Sequence, residues 1–468
     1  MALTKLSTTM IEDSAITAAK IADGTVVAAE IADDAITAEK IADDAITAAK
    51  IADNAVTTAK INADAVTAAK VADDVINSEH LVDGGVDNAH LATGIASSKL
   101  TGALPAISGA SLTNLPPAPR KNLIINGGMT VSQRGTSETG VTSTGFKKAP
   151  DRYKIMKDNC GTWTVSQSTD SPNGFSNSYK FDCTTAQASL PTDAYLWLMQ
   201  SIEAQDLQLL NWGSSNAESI TLSFWVKSNK TGTYIVELQH DEVPSDYRYA
   251  SLQYTISSAN TWEQKTLTFT GNTHHAINND NGSGLEIHWY LAVGTDQTSG
   301  SYTAGTFRSS NGSANRCPGH NVNLADSTSN EWLLTGVKLE VGTSATDFEH
   351  RSYGEELALC QRYFTRVTQG ILHLRLAMGE NVNTTRNDPI FTFHPSLRST
   401  PSLSVNTVGD FLIYAANTTY TATSITPDLM GPKSCNLKVT TNGTMTAGGA
   451  GQFVVNSTGA TLDFSAEL

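Results

Sequence analysis

The residues best suited to chemistry are aromatic rings set beside hydrogen-bonding side chains, the combination that holds a sugar. A pyranose presents an apolar C–H face ringed by hydroxyls, so its receptor pairs an aromatic ring with polar groups. Tyr247 and Tyr249 in DYRYASLQY offer that pairing, as do His288 and Tyr290 in GLEIHWYLAV. Asn417, Thr418 and Tyr420 offer it again nearer the C-terminal end. Each also has a plainer reading as a solvated strand or turn residue. Carboxylates abound, including Asp241, Glu242, Asp246 and Glu286. Sequence spacing does not pair any two at the separation of about 5–10 Å that a glycosidase needs. There is no GxSxG, HExxH, P-loop or dinucleotide motif. The expectation is a non-enzyme without catalytic residues.

Metal chemistry fares no better. His274-His275 has no evident third ligand. The run 278–284, NNDNGSG, could offer oxygens to calcium but lacks the full loop pattern of a calcium hand, so a turn is the simpler reading. Cys160, Cys183, Cys317, Cys360 and Cys435 form no CxxC pair, which suggests reduced thiols and argues against a zinc site. The expected cofactor is none, with calcium left open.

The whole chain of 468 residues carries a net charge of −15. That balance opposes nucleic-acid binding, which needs a basic footprint, and no apolar run is long enough to span a membrane. The first residues lack the basic and apolar parts of a signal peptide. The averages hide a split. Residues 1–100 contain no aromatic, Pro or Cys, and seven Lys against sixteen Asp or Glu leave them at −9. Every Phe, Tyr and Trp follows.

That acidic segment repeats every ten residues, as in AITAEKIADD from Ala35. One aliphatic column runs through Ile21, Ile31, Ile41, Ile51, Ile61, Val71, Leu81 and Leu91. The other runs through Ile16, Val26, Ile36, Ile46, Val56, Val66, Ile76 and Val86. Members of the two columns stand five apart. Five residues advance about 500° on an α-helix, so no single stripe forms. On a strand the odd step alternates faces. A mixed unit is expected, with Thr37 capping a short helical turn and Asp43-Asp44 breaking it. One copy has no core, whereas several parallel copies could bring both columns to a common axis. Lys20, Lys40, Lys50, Lys60 and Lys70 would then meet Asp of a neighbouring chain.

Beyond the Pro/Gly/Ser-rich junction 101–121, period-two segments predict a β-sandwich over 122–350. Leu222, Phe224 and Val226 share one face, as do Tyr234, Val236 and Leu238, then Leu285, Ile287, Trp289 and Leu291, then Val337, Leu339 and Val341. Glu286, His288 and Tyr290 fall on the opposite face. Ser352 and Glu355 open a helix with a capping box, and Leu357, Cys360 and Phe364 follow at helical spacing. A second β domain spans 368–468, with Leu372, Leu374 and Leu376 on one face of its first strand and His373 and Arg375 on the other.

LTGALPAISGASLTNLPPAPR resembles the connector between shaft and head in tailed-bacteriophage fibres, and the decads resemble their shaft repeats. NLIINGGMTVSQRGTS, the DRY at 151–153, SIEAQDLQ, ITLSFWVKS and GVKLEVGTSATDFEHRSYGEELALCQRYF resemble a carbohydrate-binding-module-like jelly roll of such fibres. FHPSLRSTPSL and the final AEL resemble their C-terminal modules. The resemblance implies a mainly β virion protein, assembled in the host cytoplasm. It would have an attachment leader (1–14), a trimeric shaft (15–100), a jelly roll, a linking helix (351–367) and a tip. Its partners would be two further copies, a tail or baseplate component and host surface polysaccharide, with no nucleic acid and no membrane insertion. Alternatives are a purely structural virion fibre and a depolymerising tailspike.

Overall fold

The computed structural model describes residues 9, 11–63, 65–67, 71, 122–241, 243, 246–309, 316–368 and 370–468. Most of the leader, Lys70, the column members Ile76, Leu81, Val86 and Leu91, the junction 101–121 and Glu242 lie outside the described residues. The chain divides into two units, Met1–Ser108 and Gly109–Leu468.

In the first unit one backbone pattern recurs. A 3-10 turn at Ala18–Lys20 is repeated at Ala28–Glu30, Ala38–Lys40, Ala48–Lys50 and Thr58–Lys60. Extended residues and a tight turn separate successive 3-10 turns. That tight turn puts Gly24, Asp34, Asp44 and Asn54 at φ of 75°, 62°, 60° and 64°. An ordinary side chain there costs about 1–2 kcal/mol, and Gly, Asn and Asp bear it best, which accounts for the residues found. Two expectations change. Thr37 does not cap its turn, because its hydroxyl donates to Glu39 at 2.8 Å. The lysines close back on their own chain: Nζ of Lys20, Lys40, Lys50 and Lys60 donates to the carbonyl of Ala15, Ala35, Ala45 and Ala55. The described column members from Ile16 to Val66 stay open to solvent in the single chain, with Ile36 57% and Ile41 40% exposed.

The second unit begins with a jelly-roll sandwich of two antiparallel sheets. The six-stranded sheet runs β1 (Ser137–Val141), β4 (Thr162–Ser168), β5 (Ser178–Thr185), β13 (Glu331–Val341), β7 (Ile220–Ser228), β10 (Glu263–Phe269). The seven-stranded sheet runs β12 (Arg308–Ser309), β9 (Arg248–Ile256), β8 (Gly232–His240), β11 (Ser283–Val293), β6 (Tyr195–Glu203), β3 (Lys154–Asp158), β2 (Gly145–Phe146). The facing sides enclose the core expected from period two: Leu222, Phe224, Val236, Ile287, Trp289 and Leu339 are all fully buried. All five cysteines are free and buried, and burial pushes the Cys360 thiol well up, away from nucleophile chemistry.

Helix α1 (Tyr353–Gln361) forms where its capping box directs, with Ser352 accepting from the Glu355 N–H and Glu355 accepting from the Ser352 N–H. Beyond it, β14 (Phe364–Arg366), β22 (Leu462–Ser465) and β17 (Ser402–Val405) make a small sheet. Six strands close a barrel in the order β15 (Arg375–Asn383), β16 (Arg386–Thr392), β20 (Ser434–Thr441), β19 (Thr418–Met430), β18 (Phe411–Ala415), β21 (Ala450–Val455). Phe411, Ile413, Phe453, Val455, Leu437 and Val439 fill it. Leu372, expected to share a face with Leu374 and Leu376, is 46% exposed, since the strand starts only at Arg375; Leu374 and Leu376 pack against the barrel core. A charged seam ties the end of α1 and the residues after β22 to the sandwich. Arg134 and Arg152 both grip Glu467, and Arg362 holds Glu203 through two 2.7 Å bonds.

Candidate functional site

Two faces gather the residues singled out in the sequence: the side of the seven-stranded sheet away from the core, and the outside of the barrel.

On the sheet, alternation does turn His288 and Tyr290 away from Trp289. Solvent does not meet them there: His288 is 2% exposed and Tyr290 0%. Tyr249 is likewise buried at 6%. The chain between β11 and β13 brings Arg308, Arg316 and Cys317 over this face, and Trp197, Met199, Ile235, Tyr290, Val293 and Cys317 form a second small core. Glu237 on β8 sits at its centre, fully buried. Arg316 Nε donates to it at 2.6 Å, Tyr290 Oη at 3.0 Å and Ser251 Oγ at 3.3 Å. His288 bridges two carboxylates, with Nδ1 3.5 Å from Glu237 and Nε2 3.0 Å from Glu286. The Arg316 guanidinium lies 4.1 Å from the Tyr249 ring centroid. Burial would raise the Glu237 carboxyl, but Arg316 and His288 outweigh it and hold it below the ordinary range. These polar groups satisfy one another, so the face is a closed ionic core.

The remaining jelly-roll candidates are dispersed. Tyr247 is 38% exposed in the loop before β9, apart from the buried Tyr249. His275 Nε2 sits 2.8 Å from Asp246, which also accepts from Arg248, so this histidine is engaged by a carboxylate. The NNDNGSG run acts as a turn: Asp280 accepts from the Gly282 N–H, and Asn281 exchanges hydrogen bonds with Arg398. Among the described residues no group of three or more His, Cys, Asp or Glu could hold a metal.

The barrel is different. Its outer surface carries a groove of about 430 Å³. Period two builds it: along β18, Phe411, Ile413 and Ala415 point inward, leaving Leu412 and Tyr414 outward. Register then aligns the row, with Leu412 opposite Val454, Val454 opposite Arg375, and Tyr414 opposite Thr419. Leu412 and Val454 form the floor, Tyr414 and Thr419 one end, and His373, Arg375 and Asn456 the other polar edges. Asn417 has a structural task. It occupies the β18–β19 turn at φ 64° and accepts from the Tyr414 hydroxyl at 2.6 Å, which fixes the ring. Thr418 and Tyr420 fall on the opposite side from Thr419, and the Tyr420 ring packs partly on the barrel core beside Gly443. Of the contact candidates in this hairpin, Asn417, Thr418 and Tyr420, none lines the groove; alternation gives it Tyr414 and Thr419 instead. Sequence reading placed His373 and Arg375 on a common face without reaching Tyr414 or Asn456, because only barrel closure joins them.

No family model matches the chain, and no curated protein matches it. Solved structures do, 56 chains in all. One is the enzymatically active domain of tailspike protein 4 of bacteriophage CBA120, at 14% identity and TM-score 0.24, covering 41% of this chain and 19% of that one. Another is a family 22 carbohydrate-binding module of Clostridium thermocellum Xyn10B, at 9% identity and TM-score 0.25, covering 44% and 98%. A third is TmCBM61 in complex with β-1,4-galactotriose, at 11% identity and TM-score 0.22, covering 47% and 99%. The structural neighbours thus include a phage tailspike and carbohydrate-binding modules. The overlaps are partial and no site residue is transferred from them.

Proposed function

We propose that the chain is a bacteriophage tail fibre that adsorbs to host surface glycan without cleaving it. The observation that carries this reading is the barrel groove, where one fixed tyrosine ring stands among uncommitted polar side chains. A sugar's apolar face can lie on Tyr414 while Thr419, Asn456 and Arg375 meet its hydroxyls. The exposed aliphatic columns support a homotrimer whose repeats shelter one another, and the fibre-like motifs support a place on the virion. Three grooves on one assembly would turn weak contacts into firm adsorption through effective concentration.

The test uses full-length protein and polysaccharide extracted from host cells. Retention of the polymer is expected, with no fall in its length. Tyr414→Ala should weaken retention about tenfold, the loss of an aromatic contact worth roughly 1–1.5 kcal/mol. Tyr290→Phe should leave retention unchanged, because that ring is sealed beneath Arg316. Shortening of the polymer would overturn the non-enzymatic reading. Full retention by Tyr414→Ala would remove the groove from adsorption.

A further inference from the structure

We infer that the barrel groove selects an anionic sugar, one bearing a carboxylate or phosphate substituent; this rests on the glycan-binding reading and sharpens it. The argument starts from the arginines. Nine of them, Arg134, Arg152, Arg248, Arg308, Arg316, Arg351, Arg362, Arg366 and Arg386, pair with a carboxylate. Arg398 is spent on the carbonyls of Asn281, Ala466 and Glu467. Arg375 alone among the described arginines has neither kind of partner, and it lines the groove. None of the lining residues is an Asp or Glu, in a chain with 46 of them against 31 Lys and Arg. A pocket carrying fixed positive charge and no carboxylate, on a protein of net charge −15, is a local reversal of sign. Close range matters here, because beyond about 8–10 Å salt screens the repulsion of the rest of the surface.

The geometry suits a single charged ring or a pair of rings. Arg375 and Leu412 are separated by one strand, β21, so their backbones stand about 10 Å apart. Tyr414 lies two residues further along β18 on the same face, about 7 Å on. A pyranose resting on Leu412, Val454 and Tyr414 would aim an acidic substituent at the guanidinium, whose planar fork matches carboxylate and phosphate oxygens two at a time. His373 closes the same edge. It is held at φ 60°, a conformation histidine tolerates better than most residues, and its backbone N–H donates to the Val455 carbonyl at 2.8 Å.

The experiment measures binding of the full-length protein to three immobilised polymers: polygalacturonate for the carboxylate, a phosphorylated mannan for the phosphate, and neutral dextran. At least one anionic polymer is expected to bind roughly tenfold or more tightly than dextran, as a charge-assisted contact would give. Which one does so identifies the substituent. Arg375→Gln should bring the anionic polymers down to the level of dextran, while Arg375→Lys should restore part of the preference. Arg375 is exposed, so these variants should melt as the parent does. Equal binding of all three polymers, or a preference that survives Arg375→Gln, overturns the inference. The two readings fail separately. Host polysaccharide retained through Tyr414 without anionic preference sinks this inference alone. Loss of all polymer binding in the parent sinks both.

Discussion

Replacing Glu237 by Gln tests whether the outer face of the seven-stranded sheet is a closed ionic core. The substitution keeps shape and removes charge. It strands Arg316, whose side chain is 15% exposed, against a neutral amide, and it points an amide N–H at groups that already donate. Breaking a buried pair on one side costs about 3–5 kcal/mol, which for a domain of this size corresponds to a fall in Tm of roughly 6–20 °C. The pH dependence is also fixed. Burial raises the Glu237 and Glu286 carboxyls, but their cationic partners outweigh it and hold both below the ordinary 4.5. Their contribution is therefore present above pH 4.5 and lost as pH falls through the folded values. Burial lowers His288, but its bonds to Glu237 and Glu286 prevail and hold it above 6.5. Its contribution is complete below pH 6.5 and lost as pH rises through the folded value. The cluster should thus stabilise most between pH 4.5 and 6.5, and Glu237→Gln should flatten both limbs. Thermal melts across that range read the effect. Glu237→Leu with Arg316→Met should recover only the part of the loss due to the stranded Arg316, because Tyr290, Ser251 and His288 still lose their acceptor. A single variant within about 1 kcal/mol of the parent, or an unaltered pH profile, would refute the closed-core account.

Three further outcomes follow from the structure. If the proposed trimer forms, Ile36→Ser combined with Ile41→Ser should lower the mass seen by light scattering below that of the parent; an unchanged assembly would show that the columns are not its core. Asn417→Ala should cost about 1–2 kcal/mol by urea unfolding because of its φ of 64°, whereas Asn417→Gly should keep the stability and weaken polymer retention by freeing Tyr414. Ser352→Ala should lower stability by about 1 kcal/mol through loss of its cap on α1, measured in the same way, and an effect on polymer binding would contradict the assignment.

The inward faces of the sandwich were legible because alternation is a local signal. Phe224 and Trp289 needed no partner strand to declare themselves. The opposite face was misread by the same rule, which marks Glu286, His288 and Tyr290 as polar alternates and knows nothing of Arg316. That arginine lies far along the chain in a segment without periodicity, and its register over β8 is purely tertiary. The groove fails differently. His373 and Arg375 share a legible face, Tyr414 another, and Asn417 sits in a legible turn, but the order β15, β21, β18, β19 that unites them depends on barrel closure. The decads show a third case. Five-residue spacing correctly excluded helix and strand, yet the lysines' return to their own carbonyls could not be seen without the 3-10 turn.

The contrast between the two faces also supports placing the proposed recognition on the barrel. A sugar offers many weak hydrogen bonds, each exchanged for one to water, so a receptor gains little from donors and acceptors already engaged elsewhere. On the sheet, opening a site would mean separating Arg316 from Glu237 and exposing the second core around Trp197 and Tyr290, a cost several times what a sugar contact returns. On the barrel the side-chain bond from Tyr414 to Asn417 orients the ring while leaving its face free. Arg375 and Asn456 are exposed in the same groove. The jelly roll spends its polar groups on rigidity, and the barrel keeps a few uncommitted where a ligand can reach them.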